Sequence, residues 1–377
     1  MSGVDLAEPV FSASSWIASV MLGEPHDVAT LSPADYKKIG LAATDHGVVP
    51  LLHHFLSPRE SWDEFPEHFR ELLSQHAHRQ IAWDMLREND LGQLLDQLND
   101  ASINYILIKG AGLAYTHYPH SFLRDRCDTD ILFADQAGFD RAWDLLESLG
   151  YARRNTLSGE FVGYQHCCHR QLSPGVHQVL DCHIRINDYL FFADALGFDE
   201  LVEHSVALPQ LAASARTLGP VHAMLMACLH RVATMPFGNA DRLIWLFDIH
   251  LLGHSFDGNQ WVEFLALARD RALCGSCVHS LYAANEHFPL SVPAQVMAEL
   301  ERTAAKELFK PGQEMKRWKY YLHAFKSLPG WRNKARLLRE HFLPSPSYLM
   351  EKYDTSNRIL LPFLYVRRVL EGWRRYF

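Results

Sequence analysis

Up to about residue 100, the apolar residues of the chain recur at helical spacing. Leu86, Leu91, Leu94, Leu95 and Leu98 form one stripe of a helix that should end near Asn99-Asp100. Further upstream, Ser32 followed by Pro33 has the form of a helix start, a side-chain cap and then a proline at the first helical position. The period then changes. Tyr105-Ile106-Leu107-Ile108 is a short, β-branched apolar run and predicts a buried strand. Lys109-Gly110-Ala111-Gly112 leads into a helix expected to reach Tyr118, with Pro119 closing it. Residues 130–133 read as a second strand, and residues 136–149 as a helix with Phe139, Trp143, Leu146 and Leu149 on one face and Gly150 as its C-terminal cap. Two strands, 163–172 and 176–186, are predicted around the turn Ser173-Pro174-Gly175. From Asp194 to about Leu308 the pattern is helical again. Pro311-Gly312 interrupts it, and the last stretch reads as amphipathic helices broken at Pro329, Pro344, Pro346 and Pro362. No internal repeat or low-complexity segment is present.

This order predicts an α+β protein with a mixed β-sheet core between helical regions. The expected divisions are an N-terminal helical region at 1–84, the core at 85–190, a helical domain at 191–310 and a basic helical C-terminal region at 311–377. With 377 residues, 48% apolar and 21% charged, the chain has the size and composition to bury a large core. No apolar stretch approaches the roughly 20 residues that span a bilayer; the longest candidate, Ile359 to Val366, contains Pro362. The apolar segment around Phe11–Ala18 is preceded by Asp5 and Glu8 rather than by basic residues, so it reads as the start of a cytoplasmic protein rather than a leader. Seven cysteines, an odd number, fit free thiols. Charge is unevenly spread. Residues 313–377 hold 14 Lys/Arg against 5 Asp/Glu, whereas the chain as a whole carries a net charge of −8. The basic tail could meet an anionic partner, or it could pack against the acidic remainder or stay solvated.

The chemistry concentrates in Arg124-Asp125-Arg126-Cys127-Asp128-Thr129-Asp130. An Asp-x-Asp entering an apolar strand puts both carboxylates on one face, because strand side chains alternate with period 2. Asp181, in the middle of a later predicted strand, can join them if the strands are neighbours. Three such carboxylates suit hard divalent cations and metal-assisted nucleotidyl transfer. Gly110, at a strand-to-helix turn, would let phosphate oxygens approach backbone N–H groups. Lys109, Arg124 and Arg126 are placed to meet phosphate; alternatively, the two arginines belong to a surface loop and pair with Asp125. His183 shares a face with Asp181, and would either contact phosphate or the nucleophile or orient Asp181 by a hydrogen bond.

Other groups of chemically capable residues carry less. Cys167 and Cys168 are adjacent and face opposite ways on a strand, and no Cys/His pair there has structural-zinc spacing, so His166, His169, His177 and Cys182 read as packed residues. Cys274-Gly275-Ser276-Cys277 lies in a helical pattern and reads as helix packing rather than a redox motif. Asp241 and Asp248 flank Arg242–Phe247 and are expected to face solvent or cap the helix, though that helix could also line an acceptor pocket.

Ile106-Leu107-Ile108-Lys109-Gly110-Ala111-Gly112-Leu113, Tyr118-Pro119, Arg124 and Asp128-Thr129-Asp130-Ile131-Leu132 resemble the bacterial uncharacterised nucleotidyltransferase family of the DNA polymerase β-like superfamily. Leu94–Leu98 is similar to that family's lead-in helix, Asp181-x-His183 to its third-carboxylate strand, Arg242–Ile249 to its helical portion, and Phe342–Ser345 with Tyr365–Arg368 to its tail. The resemblance covers most of residues 85–370. It implies a mixed-sheet nucleotidyltransferase core, Mg²⁺ or Mn²⁺ on Asp128, Asp130 and Asp181, an NTP substrate and an unspecified acceptor: protein, peptide, sugar or small metabolite. One departure stands out. The superfamily's usual phosphate turn is Gly-Ser, and here Ala111 follows Gly110. The competing expectation is a non-catalytic nucleotide-binding or interaction protein on the same fold. A stable nucleic-acid partner is not expected, since basic patches interleaved with aromatics are missing.

Overall fold

The structure, a computed structural model, describes residues 11–26, 30–153, 165–187, 191–238, 240–312, 322, 325–326 and 330–376. Three short helices come first: α1 (Ala13–Met21), α2 (Pro33–His46) and α3 (Val49–Leu56). Ser32 caps α2 as its sequence predicts. The Asp35 N–H donates to the Ser32 hydroxyl at 3.3 Å and the Ser32 N–H donates to the Asp35 carboxylate at 3.1 Å, a reciprocal capping box. Helix α4 (Glu67–Asp100) then runs unbroken through residues 84 and 85 and stops where Asn99-Asp100 predicts.

The sheet follows. It contains β1 (Tyr105–Ile108), β2 (Thr129–Phe133), β3 (Ala152–Arg153), β4 (Gln165–Ser173), β5 (Val176–His183), β6 (Val206–Ala207) and β7 (Arg216–Thr217), in the order β3-β4-β5-β2-β1-β7-β6. Between its strands lie α5 (Lys109–Thr116), α6 (Gln136–Ser148) and α7 (Phe198–Glu203). The β4–β5 hairpin turns at Pro174-Gly175, with Gly175 at φ +79°, where an L side chain would be strained. The first two residues of the predicted 163–172 strand lie outside the described residues, and β5 ends at His183, short of Ile186. Strands β3, β6 and β7 have two residues each, too few for a periodic signal. Because of β6 and β7, the stretch after Asp194 is not purely helical as its pattern suggests. Helix α5 stops at Thr116 rather than Tyr118.

Helices α8 (Pro220–Thr234), α9 (Leu243–Ser255), α10 (Gly258–Asp270), α11 (Cys274–His287) and α12 (Ala294–Ala304) complete the body. Three further helices lie at Gly330–Phe342, Pro346–Lys352 and Leu361–Tyr376.

Alternation along β1 and β2 divides the core in two. Ile106, Ile108 and Leu132 join one apolar cluster with α1–α3 and α8–α12. Leu107, Ile131 and Phe133 face the other way, onto Leu91, Leu94, Leu95 and Leu98 of α4 and Phe139 and Leu146 of α6. The two-residue period therefore puts Asp130, two positions before Leu132, on the face that looks toward the helical body.

Candidate functional site

Strands β2 and β5 are parallel neighbours, in a register that sets Asp130 opposite Asp181 and Leu132 opposite His183. Side chains opposite one another in this register leave the sheet on the same side, so two carboxylates and an imidazole meet. One donor atom each from Asp130, Asp181 and His183 lies within 4.8 Å of the others, the one such group among the described residues, and all three side chains are buried. His183 Nε2 is 2.9 Å from Asp130 Oδ1, so the histidine hydrogen-bonds Asp130 rather than Asp181. Asp181 is held by the Gln165 side-chain amide, which donates to Oδ2.

Lys109 completes the cluster. Its Nζ donates to Asp130 Oδ1 at 2.6 Å and lies 3.4 Å from His183 Nε2. The chain enters α5 through this residue at φ +54°, a left-handed conformation that costs a lysine about 1–2 kcal/mol. Burial disfavours the Lys109 ammonium, but the carboxylates of Asp130, Asp128 and Asp181 outweigh it and raise its pKa. Burial likewise works against the Asp130 carboxylate. Lys109 and His183 reverse the sign and hold its carboxyl well below the usual range. For Asp128 the balance goes the other way: burial, reinforced by Asp130 and Asp181, outweighs the Lys109 and Arg124 charges and pushes its carboxyl up to about 7.

These groups line a cleft of about 1140 Å³ between the sheet and helices α8 and α9. Its far wall includes Met226 and His230 of α8 and Ile244, Trp245 and Asp248 of α9. His230 packs edge-on against Trp245 at 4.7 Å, and burial with the nearby Lys109 charge lowers its pKa to about 3, leaving it neutral.

All the predicted phosphate residues, Lys109, Gly110, Arg124 and Arg126, also line this cleft, but the two arginines are committed to internal partners. Arg124 grips Asp248 through two bonds, Nε to Oδ1 at 3.0 Å and Nη2 to Oδ2 at 2.6 Å, and Tyr118 donates to the same Oδ1 at 2.7 Å. Arg126 pairs with Asp84 of α4 at 2.6 Å and donates to the Ser121 carbonyl. Both arginines are buried, so neither forms the surface pair with Asp125 that the sequence allowed. Asp248, expected at the surface or as a cap, is 4% exposed and anchors Arg124. The signal was present: Asp248 is a lone carboxylate in the apolar run Leu243–Ile249, and such a group is rarely buried unless paired. Asp241, by contrast, is largely exposed, as expected, and pairs with Arg231. Gly110 fits tightly against this network: a Cβ there would lie 2.2 Å from Arg124 Nη1. Arg242, missed as a site residue, enters the cleft with its Nε donating to the Asp45 carbonyl at 3.1 Å and its guanidinium 5.1 Å from the Trp245 ring centre.

On the hairpin, Cys168 and Cys182 are buried free thiols and Cys167 is half-buried, while Cys274 and Cys277 are buried free thiols in α11.

A divalent cation fits the Asp130–Asp181–His183 donor set. Two carboxylates and an imidazole converge, and His183 Nδ1 is buried without a hydrogen-bond partner. A mixed sheet presenting acidic side chains from adjacent strands to a large cleft is the arrangement of a nucleotidyltransferase-like α+β protein. A family profile described as "uncharacterised nucleotidyltransferase" matches residues 32–305, and the chain belongs to that family. Comparison with curated proteins finds no match.

Proposed function

We propose that the protein transfers a nucleoside monophosphate from an NTP to an acceptor nucleophile, which bonds to the α-phosphorus as the α–β phosphoanhydride breaks and pyrophosphate leaves, using a divalent cation of the Mg²⁺ or Mn²⁺ type. The observation that carries this reading is the register of β2 on β5, which brings Asp130 and Asp181 together beside His183 in a cleft wide enough for a nucleotide and a second substrate.

Asp130 and Asp181 hold the cation in this reading, with Asp128 as the third carboxylate and His183 as a nitrogen donor. The cation would offset the triphosphate charge and polarise the bond being broken. Lys109 supplies a fixed positive charge against Asp130 and meets phosphate, as does Arg242, which has a carbonyl and an aromatic ring as its neighbours. Arg124 and Arg126, their charges already offset by Asp248 and Asp84, shape the wall, and Arg124 packs against Gly110. Asp181 takes the acceptor's proton. Trp245 or His230, each neutral and planar but set edge-on to the other, stacks with the nucleobase.

The test is direct. The protein is incubated with each radiolabelled NTP, Mg²⁺ or Mn²⁺ and a cell lysate, beside the Asp128→Asn/Asp130→Asn double variant. Label transfer that disappears in the variant supports the enzyme. Nucleotide binding with no transfer under either metal would favour the non-catalytic nucleotide-binding protein instead.

A further inference from the structure

The last helices carry apolar faces that the fold leaves in solvent. Leu361–Tyr376 packs one side on Pro346–Lys352. Leu349 and Leu364 are buried, the Tyr353 hydroxyl donates to Glu371 at 2.9 Å, and Arg368 donates to the Tyr348 hydroxyl at 3.2 Å. At helical spacing, Phe363, Val366 and Leu370 fall on a different face from Leu364 and are 64%, 58% and 59% exposed. Ile359, just ahead of the helix, is 87% exposed. Gly330–Phe342 repeats the design. Leu337 is buried, while Trp331, Leu338 and Phe342 form an exposed stripe at i, i+7 and i+11. Between residues 330 and 376 the chain holds ten Lys/Arg and four Asp/Glu, although the full chain is net negative at −8.

We propose that these helices dock the protein on an anionic lipid surface, lying in the headgroup plane with the acidic body turned away. An exposed apolar face beside a dense set of Arg and Lys is the form of an interfacial helix: the apolar side chains enter the acyl boundary and the basic ones meet lipid phosphates. No helix among the described residues is long and apolar enough to cross a membrane, so these lie on the surface rather than span it. A nucleic acid would use the basic and aromatic groups but would give Ile359, Val366 and Leu370 nothing to bury against. Charge complementarity also sets the orientation, since a surface that attracts these helices repels the acidic remainder.

Cosedimentation of the full chain with vesicles tests this, using phosphatidylcholine alone and phosphatidylcholine mixed with phosphatidylglycerol. We expect binding to the phosphatidylglycerol vesicles only, weakening with salt. Combining Phe363→Ser, Val366→Ser and Leu370→Ser should cut it at least about tenfold, with thermal unfolding unchanged. Ile359→Ser, in the short 3-10 turn ahead of that helix and almost fully exposed, should weaken it in the same direction and remains informative if the triple variant folds poorly. Combining Arg332→Gln, Lys334→Gln, Arg336→Gln and Arg339→Gln should reduce both the binding and its salt dependence. Failure of the wild-type chain to bind anionic vesicles, equal binding to both vesicle types, or full binding by the serine variants would each overturn the proposal. So would a stable dimer, seen by light scattering, that the triple variant makes monomeric, because the apolar face would then belong to a second copy.

Discussion

Asp130 and Asp181 stand opposite one another on neighbouring parallel strands, yet they are balanced differently. Asp130 accepts from Lys109 at 2.6 Å and lies 2.9 Å from His183, whereas Asp181 is held by the neutral Gln165 amide. The two carboxylates should therefore respond differently to neutralisation. Asp130→Asn strands the buried Lys109 ammonium and should destabilise the protein by about 3–5 kcal/mol, as breaking a buried ion pair does. Asp181→Asn strands no cation and removes a repelling charge, so its melting temperature should stay at or above the wild-type value. Both should lower nucleotidyl transfer by at least about 100-fold. Melting curves beside transfer assays would show this separation. Equal destabilisation by the two variants would contradict the assignment of Lys109 to Asp130.

Arg124 gives a second contrast. If its work is to hold Asp248, Arg124→Lys, Arg124→Ala and Asp248→Asn should all lower stability, the alanine variant by about 3–5 kcal/mol. What activity survives should show an unchanged KM for NTP. If Arg124 instead grips phosphate in the working enzyme, KM should rise in the Arg124 variants but not in Asp248→Asn. Urea unfolding and steady-state kinetics on the three proteins distinguish the two.

Gly110→Ala should be felt through the same network. The added Cβ meets the Arg124 guanidinium, which is pinned at two points by Asp248 and cannot swing aside cheaply. A loss of about 1–3 kcal/mol is expected, as for overpacking elsewhere. Gly175→Ala, at φ +79° but with open space around it, carries only backbone strain and should cost less.

Asp128 sets a pH dependence. Its carboxyl has a pKa of about 7 in the folded chain against an ordinary 3.8, so the native state favours the protonated form. Its contribution to stability is complete below about pH 4 and falls away as the pH rises toward 7. Asp128→Asn removes that loss. In the metal-free protein the variant should melt higher than wild type at pH 8 and alike at pH 4. Asp130 has the opposite sign, since its lowered pKa stabilises the fold above the ordinary carboxylate range and is lost in acid. Calorimetry across this range checks both signs.

Much of this site could be read from local pattern. β1, β2, α6 and the β4–β5 hairpin lie where alternation, helical spacing and turn residues put them, and the period of 2 was enough to set Asp181 and His183 on one face. The partners of the arginines were not legible. Arg124 and Asp248 are 124 positions apart, and no spacing rule connects a loop to a helix that far along the chain. The strand pair β6–β7 was invisible for a different reason, being made of two-residue strands whose place is set by pairing with β1 rather than by their own composition.

The apolar cluster that joins Ile17, Leu51 and Leu52 to Phe264, Phe288 and Leu300 has a consequence for synthesis. During translation the first helices emerge long before the residues that cover them. They remain unfinished until about 300 residues have left the ribosome, with the strands of the sheet arriving in between. A nascent chain arrested after the sheet should therefore be a chaperone substrate and easily digested, and resistance to protease should appear only once α12 is made.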